Sequence, residues 1–232
     1  MPRDTLTRDQ IVRAAIDLLD ADGLEGLSMR ALGRRLDSAA TAVYWHVGSK
    51  DNLIALAGDQ VWNEIELPDL AVVDWRTAAT QMATGLHTML IAHPWLIEAF
   101  GSFLLSSTGK ARHDDHTLAV YEAAGFTGTQ ADQSAAVFTY VLGNALGPAA
   151  TATASLTRKL DRDGGTADEK MLDHMAKASQ IAAQFPRLQA RFDQAADYAA
   201  APDHTFEFGL HALLDGLEAQ LTARHPQNTI AP

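Results

Sequence analysis

The chain has 232 residues, 47% of them hydrophobic, and no cysteine, so it can form a substantial core but no disulfide bond or thiolate zinc site. Its formal net charge is −11, it has no apolar run of the roughly 18 residues that span a membrane, and its amino terminus lacks a signal-peptide core. These properties predict a soluble cytoplasmic protein with no membrane partner.

Four helices are predicted in the first 66 residues from apolar spacing and capping signals. Thr7 and Gln10 are spaced as the two ends of a capping box, which starts the first helix, and Gly23 favours its end. Ser28 is a typical N-cap for the second helix. The predicted helices cover residues 7–21, from Ser28 to a turn at Asp37, about 39–46 and about 50–65.

The rest of the chain is also predicted to be helical. Pro68 lies in a brief connector, and no later segment keeps the two-residue alternation of a strand. The predicted fold is therefore all-α, with a helix-turn-helix domain over 1–66 and a larger helical domain over 67–226. The charged, glycine-containing segment 157–167 is expected to be a loop. The predicted later helices span 75–92, 95–106, 110–124, 130–155, 168–182, about 187–200 and 204–224.

The negative charge is distributed unevenly along the chain. Residues 1–50 carry seven Lys/Arg and seven Asp/Glu, so the whole net charge of −11 lies in the remainder. An acidic body repels DNA, which leaves the neutral N-terminal domain as the only plausible DNA-contacting part. Arg30, Arg34 and Arg35 form a local basic patch there.

The third predicted helix carries residues that suit a DNA surface. Tyr44, Trp45 and His46 are consecutive, so they point about 100° apart on a helix and cannot all be buried. Phenol, indole and imidazole groups on a helix that follows a tight turn are well suited to phosphates and base edges. The alternative is an exposed aromatic cluster with no partner.

The same residues carry a resemblance to a known family. The block Val43–Val47, VYWHV, followed by Lys50, is close to the signature of the TetR family of bacterial repressors. The segments FEFGL at Phe206–Leu210 and GLEAQL at Gly216–Leu221 resemble the tetracycline-repressor branch of that family. Between these segments the resemblance is one of helical pattern and length.

The resemblance implies which residues face double-stranded DNA. Arg30 suits a base contact, because its guanidinium matches two acceptors on guanine, whereas Thr41, Tyr44 and Lys50 suit phosphates. Alanine at positions 39, 40 and 42 shortens the polar reach seen in tetracycline repressors, so a different operator sequence is expected. The implied DNA-binding residues are Ser28, Arg30, Ala40, Thr41, Tyr44, Trp45, His46 and Lys50.

Two helices carry small residues that suggest a homodimer. The last predicted helix has one stripe of large apolar residues and a second stripe of small ones, and 130–155 repeats the small-residue feature. A second stripe favours close approach of another helix, and paired recognition helices would match palindromic half-sites. Tight packing within one chain is the alternative. The predicted interface comprises Gly143, Gly147, Leu210, Leu213, Gly216, Leu217 and Leu221.

The resemblance also implies a small-molecule cavity in the C-terminal domain. Taken singly, each candidate residue is equally well explained as part of a helical core. Where tetracycline repressors have polar drug contacts and a metal-binding histidine, this chain has apolar residues, so a hydrophobic effector with no metal and no cofactor is expected. The candidate lining residues are Trp62, Glu66, Met82, Leu86, Met89, Phe100, Phe103, Leu104, Tyr140 and Asn144.

The segment His113–His116, HDDH, invites a metal hypothesis. Two histidines three residues apart can share a helix face, but zinc needs further ligands. A solvent-exposed first turn of an acidic helix is the favoured interpretation.

Together these patterns predict a homodimeric, ligand-responsive transcriptional repressor that binds a palindromic operator. The sequence shows no combination of a catalytic nucleophile and a general base that would be typical of an enzyme. A transcriptional activator on the same scaffold stays open as an alternative, as does a helical enzyme or small-molecule carrier. The identity of the effector, the operator sequence and the regulated genes are not encoded in any pattern found here.

Overall fold

The computed structural model describes residues 6–100, 107–129, 134–152, 176–194 and 201–224. Within these ranges the ordered elements are helices and no strand occurs, which confirms the predicted all-α fold. No helix in the described part of the chain is both long and apolar enough to cross a bilayer. The expected loop at 157–167 lies outside the described residues.

The first four helices have the predicted order and caps. The Thr7 hydroxyl accepts from the Gln10 amide, and the Gln10 side chain accepts from the Thr7 amide, as the capping box requires. At Gly23 the backbone has φ +64° and ψ −175°, so the first helix kinks there and makes one more turn. The helices are α1 (Arg8–Gly26), α2 (Met29–Arg35), α3 (Ala40–Val47) and α4 (Lys50–Trp62).

The C-terminal helices also follow the predicted pattern, with different ends. Pro186 and Pro202 lie in the first turns of helices and do not separate them, because a first-turn proline costs no internal hydrogen bond. The parts of the predicted helices at 101–106, 153–155, 168–175 and 195–200 lie outside the described residues. The helices are α5 (Trp75–Ala92), α6 (Trp95–Ala99), α7 (Thr108–Ala123), α8 (Ser134–Ala152), α9 (176–182), α10 (Pro186–Gln194) and α11 (Ala201–Arg224).

The core runs continuously from the first helix to the last. α1 packs on α4, α4 on α7, and α5 on both α7 and α8, while α11 covers α8. Buried apolar side chains connect these contacts into one cluster that includes Leu19, Leu53, Leu90, Val141 and Leu214. α4 therefore lies between the two predicted domains, in contact with both. The domain boundary near residue 66 stays a prediction.

A buried histidine joins the N-terminal helices to the C-terminal ones. His93 Nδ1 lies 2.7 Å from Asp20 Oδ1 of α1, and His93 Nε2 lies 3.1 Å from Glu64 Oε2, just after α4. The Trp95 indole donates to the same Asp20 oxygen at 2.8 Å. Burial opposes protonation, but the two carboxylates outweigh it and raise the pKa of His93. Both ring nitrogens face carboxylate oxygens, so the geometry favours the imidazolium.

A glycine sets the distance between α8 and α11. A Cβ atom on Gly209 would overlap the ring and hydroxyl of Tyr140. The Tyr140 hydroxyl lies within donor distance of two backbone carbonyls of α11, those of Thr205 at 2.8 Å and Phe206 at 2.9 Å. The missing side chain thus gives the tyrosine the space in which it ties the two helices together.

Candidate functional site

The helix-turn-helix geometry depends on the close approach of α2 and α3. A Cβ atom on Gly33 would lie 2.7 Å from the Ser38 carbonyl oxygen and 3.2 Å from the Ala40 amide nitrogen, so a larger residue would push the helices apart. Asp37 has φ +47°, a conformation that Asp tolerates better than most residues. The Ser28 hydroxyl accepts from the Ala31 amide at 3.1 Å, so it caps α2 as predicted.

Most of the predicted DNA-binding residues are exposed on α2 and α3. Val43 and Val47 bury the opposite side of α3. Trp45 is 83% exposed and Tyr44 48% exposed, and Arg30 and Thr41 are exposed as well. The Trp45 ring packs edge-on against His46, with centroids 5.0 Å apart. Ala40 is half-buried at the start of the helix.

Lys50 has a second role that its sequence position did not suggest. Its ammonium group donates to the Leu24 carbonyl oxygen at 2.8 Å, which fastens the start of α4 to the end of α1. An ammonium group has three protons, so two stay available for a phosphate.

The C-terminal helices line an open cavity of about 310 Å³. It lies between α5, α7 and α8, and its size is at the lower end of small-molecule sites. The wall is mostly apolar, with a histidine and a Lys–Asp pair along α7. The lining residues are Ala79, Met82, Ala83, Leu86, Lys110, His113, Asp114, Thr117, Leu118, Val120, Tyr121, Val137, Phe138 and Val141.

The structure brings only part of the predicted cavity set together. Met82 and Leu86 line the cavity. Trp62 packs behind it against His113, and Phe100 lies 5.5 Å from the Phe138 ring, centroid to centroid. Phe103 and Leu104 lie outside the described residues.

The other predicted lining residues lie elsewhere. Glu66 and Met89 line a separate surface groove between residues 64–73 and α5. Tyr140 faces α11, and the Asn144 side-chain oxygen accepts from His87 Nε2 at 3.0 Å. A helix pattern gives the spacing of residues along α8 but not which neighbouring helix each one meets.

The prediction of a solvent-exposed turn at His113–His116 is wrong for His113. Its side chain is buried, with the residue 5% exposed, because α7 packs on α4 through the face that holds Gly109 and His113. A Cβ atom on Gly109 would lie 2.6 Å from the Asp59 carbonyl oxygen of α4. His116 Nε2 instead donates to the Pro68 carbonyl at 2.9 Å, so the two histidines have different surroundings.

Two buried side chains beside the cavity, Trp62 and His113, have polar atoms without hydrogen-bond partners in the described part of the chain. These atoms are the Trp62 indole nitrogen and both ring nitrogens of His113, and the two ring centroids are 5.2 Å apart. The nearest carboxylate oxygen, on Asp114, is 3.8 Å from His113 Nδ1, beyond hydrogen-bond distance. Burial lowers the pKa of His113 to about 4, with Asp114 opposing the shift and Lys110 and His116 adding to it. The imidazole is therefore neutral at pH 7.

Sequence reasoning missed most of the α7 wall. His113, Thr117 and Tyr121 are four residues apart, which places them on one helix face, and all three line the cavity. That spacing, with an aromatic and an imidazole on the same face, was the available signal.

The predicted interface residues divide into three groups by burial. Gly143, Gly147 and Gly216 are exposed, and a Cβ atom on any of them would meet no described residue within 4 Å. Leu210 and Leu217 are buried in the chain's own core, which gives them an internal role, and Leu213 and Leu221 are half-buried. Two exposed apolar residues on the same helices, Leu146 at 51% and Phe208 at 77% exposed, were not predicted.

Comparison with known families places both parts of the chain. Residues 11–57 match the family described as bacterial regulatory proteins, tetR family. Residues 67–221 match the family described as tetracyclin repressor-like, C-terminal domain. Together the two matches cover most of the chain.

Individual proteins give the same assignment. An HTH-type transcriptional regulator of Saccharopolyspora erythraea is 35% identical over 205 residues, 84% of each chain. The HTH-type transcriptional repressor DrrR1 of Streptomyces coeruleorubidus is 28% identical and aligns with 98% of this chain and 83% of its own. The solved structure of the Streptomyces coelicolor TetR family protein ActR in complex with (S)-DNPA has a TM-score of 0.65 at 27% identity, covering 93% of this chain and 98% of that one.

Proposed function

This chain belongs to the TetR family of bacterial regulatory proteins and is a ligand-responsive transcriptional repressor. We propose that it binds a palindromic operator as a homodimer and that a small, largely apolar effector releases it. The observation that carries the proposal is the pairing of an exposed aromatic helix, α3, with a mostly apolar cavity between the C-terminal helices. α4 touches both parts.

The DNA-binding part of the proposal is supported by the exposure of α3. An indole that is 83% exposed leaves apolar surface in water, which is unfavourable unless a partner covers it. Arg30 on α2 and Thr41 on α3 are also exposed and offer hydrogen-bond donors to DNA. The acidic remainder of the chain keeps other surfaces away from the duplex.

The effector part is supported by the contact between α4 and α7. The Gly109 amide donates to the Asp59 side chain at 2.6 Å, and His113 lies against Trp62 at the end of α4. An effector that moves α7 would therefore move α4, whose first residue follows the recognition helix. A tilt of α4 in both subunits would change the separation of the two recognition helices and weaken operator binding.

The dimer part is supported by the open glycines of α8 and α11. Gly143, Gly147 and Gly216 leave room for the backbone of another helix, and the exposed Leu146 and Phe208 supply apolar surface on the same two helices. A two-fold pair built through these helices would present two copies of α3 to one operator.

The proposal is tested by selecting bound sequences from random DNA and then screening compounds for release of the selected operator. We expect a palindromic site, and release by an apolar organic compound with or without EDTA, since the cavity wall carries no cluster of metal ligands among its described residues. Failure to bind DNA at low salt would favour a helical enzyme or carrier. Release that EDTA abolishes would point to a metal-chelate effector.

A matched pair of methionine variants locates the effector. Met82 lines the cavity, whereas Met89 lines the separate surface groove. We expect Met82→Ala to change the effector concentration needed for release several-fold, as a lost apolar contact implies, and Met89→Ala to leave it unchanged. Operator affinity without effector should stay near wild type in both variants. The opposite pattern would move the effector to the surface groove.

A further inference from the structure

The wall of the cavity contains aromatic side chains. Tyr121 and Phe138 line it, and Phe100 and Trp62 extend the group of rings behind it, with their own centroids 6.2 Å apart. Aromatic side chains that meet at an angle favour an aromatic guest, which can pack edge-on or offset against them. The shape of the wall therefore suits a flat, ring-containing molecule.

The charge at the wall is balanced. The Lys110 ammonium lies 5.4 Å from the centre of the Phe138 ring and 5.7 Å from that of Trp62, and it forms an ion pair with Asp114. His113 is neutral at pH 7 because burial lowers its pKa to about 4. A guest beside these groups meets no uncompensated charge, so a neutral molecule fits better than an ion.

The unpartnered nitrogens specify the polar group of the guest. A neutral imidazole has one donor and one acceptor, and an indole has one donor. Among the residues that the structure describes, none pairs with these atoms of Trp62 and His113, and burying unused donors and acceptors is unfavourable. A carbonyl would satisfy only the donors, whereas a hydroxyl both donates and accepts.

We propose that the effector is a neutral aromatic molecule bearing a hydroxyl group, and that His113, assisted by Trp62, is the hydrogen-bonding anchor that selects it. This inference deepens the proposed function and rests on it, because it takes the cavity as the effector site. Trp62 is the last residue of α4, so the anchor on α7 packs against the helix that leads back to α3.

Two probes of equal size test the anchor. 2-Naphthol carries a hydroxyl where 2-methylnaphthalene carries a methyl group, and both are neutral at pH 7. We expect calorimetric titration of the full-length protein without DNA to show 2-naphthol binding about tenfold more tightly, because the methyl compound leaves the buried nitrogens unpaired. Equal binding of the two probes, or binding of neither, would overturn the proposal.

Variants of His113 and Tyr121 assign the preference to one residue. In His113→Leu the tenfold preference should fall to about one, and His113→Gln, which keeps a donor and an acceptor, should retain part of it. Tyr121→Phe removes a hydroxyl from the same wall and should keep the full preference. A preference that survives His113→Leu, or that disappears in Tyr121→Phe, would overturn the assignment.

Two further readouts separate this inference from folding and from operator release. His113→Leu should melt at or above the wild-type temperature, because it removes an unpaired buried polar group. A large fall in melting temperature would mean that His113 has hydrogen-bond partners in the folded protein. 2-Naphthol should shift the indole N–H resonance of Trp62, assigned with Trp62→Phe. Probes that bind with the expected preference but do not release the operator would contradict the proposed repressor mechanism and leave the anchor intact.

Discussion

Two of the buried histidines, His93 and His113, have opposite pKa shifts because they touch different groups. His93 lies between two carboxylates that outweigh the cost of burial and raise its pKa. His113 lies in an apolar wall and loses its proton more easily, with a pKa of about 4. The same side chain is thus favoured as a cation at position 93 and as a neutral ring at position 113.

Acid should destabilise the protein through His113. Its pKa is about 4 in the folded protein and 6.5 for an unperturbed histidine, so below pH 6.5 the unfolded chain binds a proton at this position and the folded chain does not until the pH approaches 4. At pH 5 this costs about 2 kcal/mol of unfolding free energy. Urea titrations at pH 7 and pH 5 should show the loss in wild type and a smaller one in His113→Leu. Equal losses would contradict the neutral, buried ring.

Arg30 should matter for DNA binding and not for folding. It is exposed on α2, so Arg30→Ala opens no cavity, yet loss of a base contact should weaken operator binding by roughly 1–3 kcal/mol. Operator titration and thermal melting check this together. Arg187→Ala, on the exposed part of α10, is the control and should change neither. Unchanged operator affinity in Arg30→Ala would remove that residue from the interface.

At the scale of elements, His93 lies between α5 and α6 and connects this junction to α1 through Asp20 and to the end of α4 through Glu64. A folded-state pKa above the unfolded value gives stability that is present below about pH 6.5 and is lost as the pH rises through the raised value. The fastening between the N-terminal and C-terminal helices therefore weakens in alkaline solution.

His93→Gln should cost more stability in acid than in alkali. At pH 6 we expect a loss of about 1.5–3 kcal/mol of unfolding free energy, as for hydrogen bonds to charged groups, and a smaller loss at pH 8.5. Asp20→Asn should reduce the same pH dependence, because it removes one of the two carboxylates. Wild type and variants are compared by urea unfolding at both pH values. A difference that does not change with pH would show that His93 is neutral in the folded protein.

At the scale of the whole molecule, the exposed glycines of α8 and α11 allow substitutions that test self-association without filling the core. Gly216→Trp and Gly143→Arg meet open space within the chain, so the fold should tolerate them while dimerisation weakens at least about tenfold, which is about 1.4 kcal/mol. Sedimentation of the variants should show monomers. Arg13→Trp, on the exposed face of α1, should stay dimeric. Dimers in all three would place the interface elsewhere.

The sequence was most informative where structure depends on neighbouring residues. The capping box at Thr7, the cap at Ser28 and the exposed Trp45 all follow from local spacing and were predicted. His113 was misplaced because its burial depends on the packing of α7 against α4, residues far apart in the chain. Tyr140 was assigned to the cavity for the same reason, since its partner is set by the position of α11.

The fit of Tyr140 against Gly209 also has a consequence for how related sequences vary. Any side chain at position 209 would need the space that the tyrosine ring occupies, and a smaller residue at 140 would leave a hole there and two carbonyls without their hydroxyl donor. A change at either position should thus be tolerated best when the other changes with it. Among natural variants we expect these two positions, 69 residues apart, to be inherited as a pair.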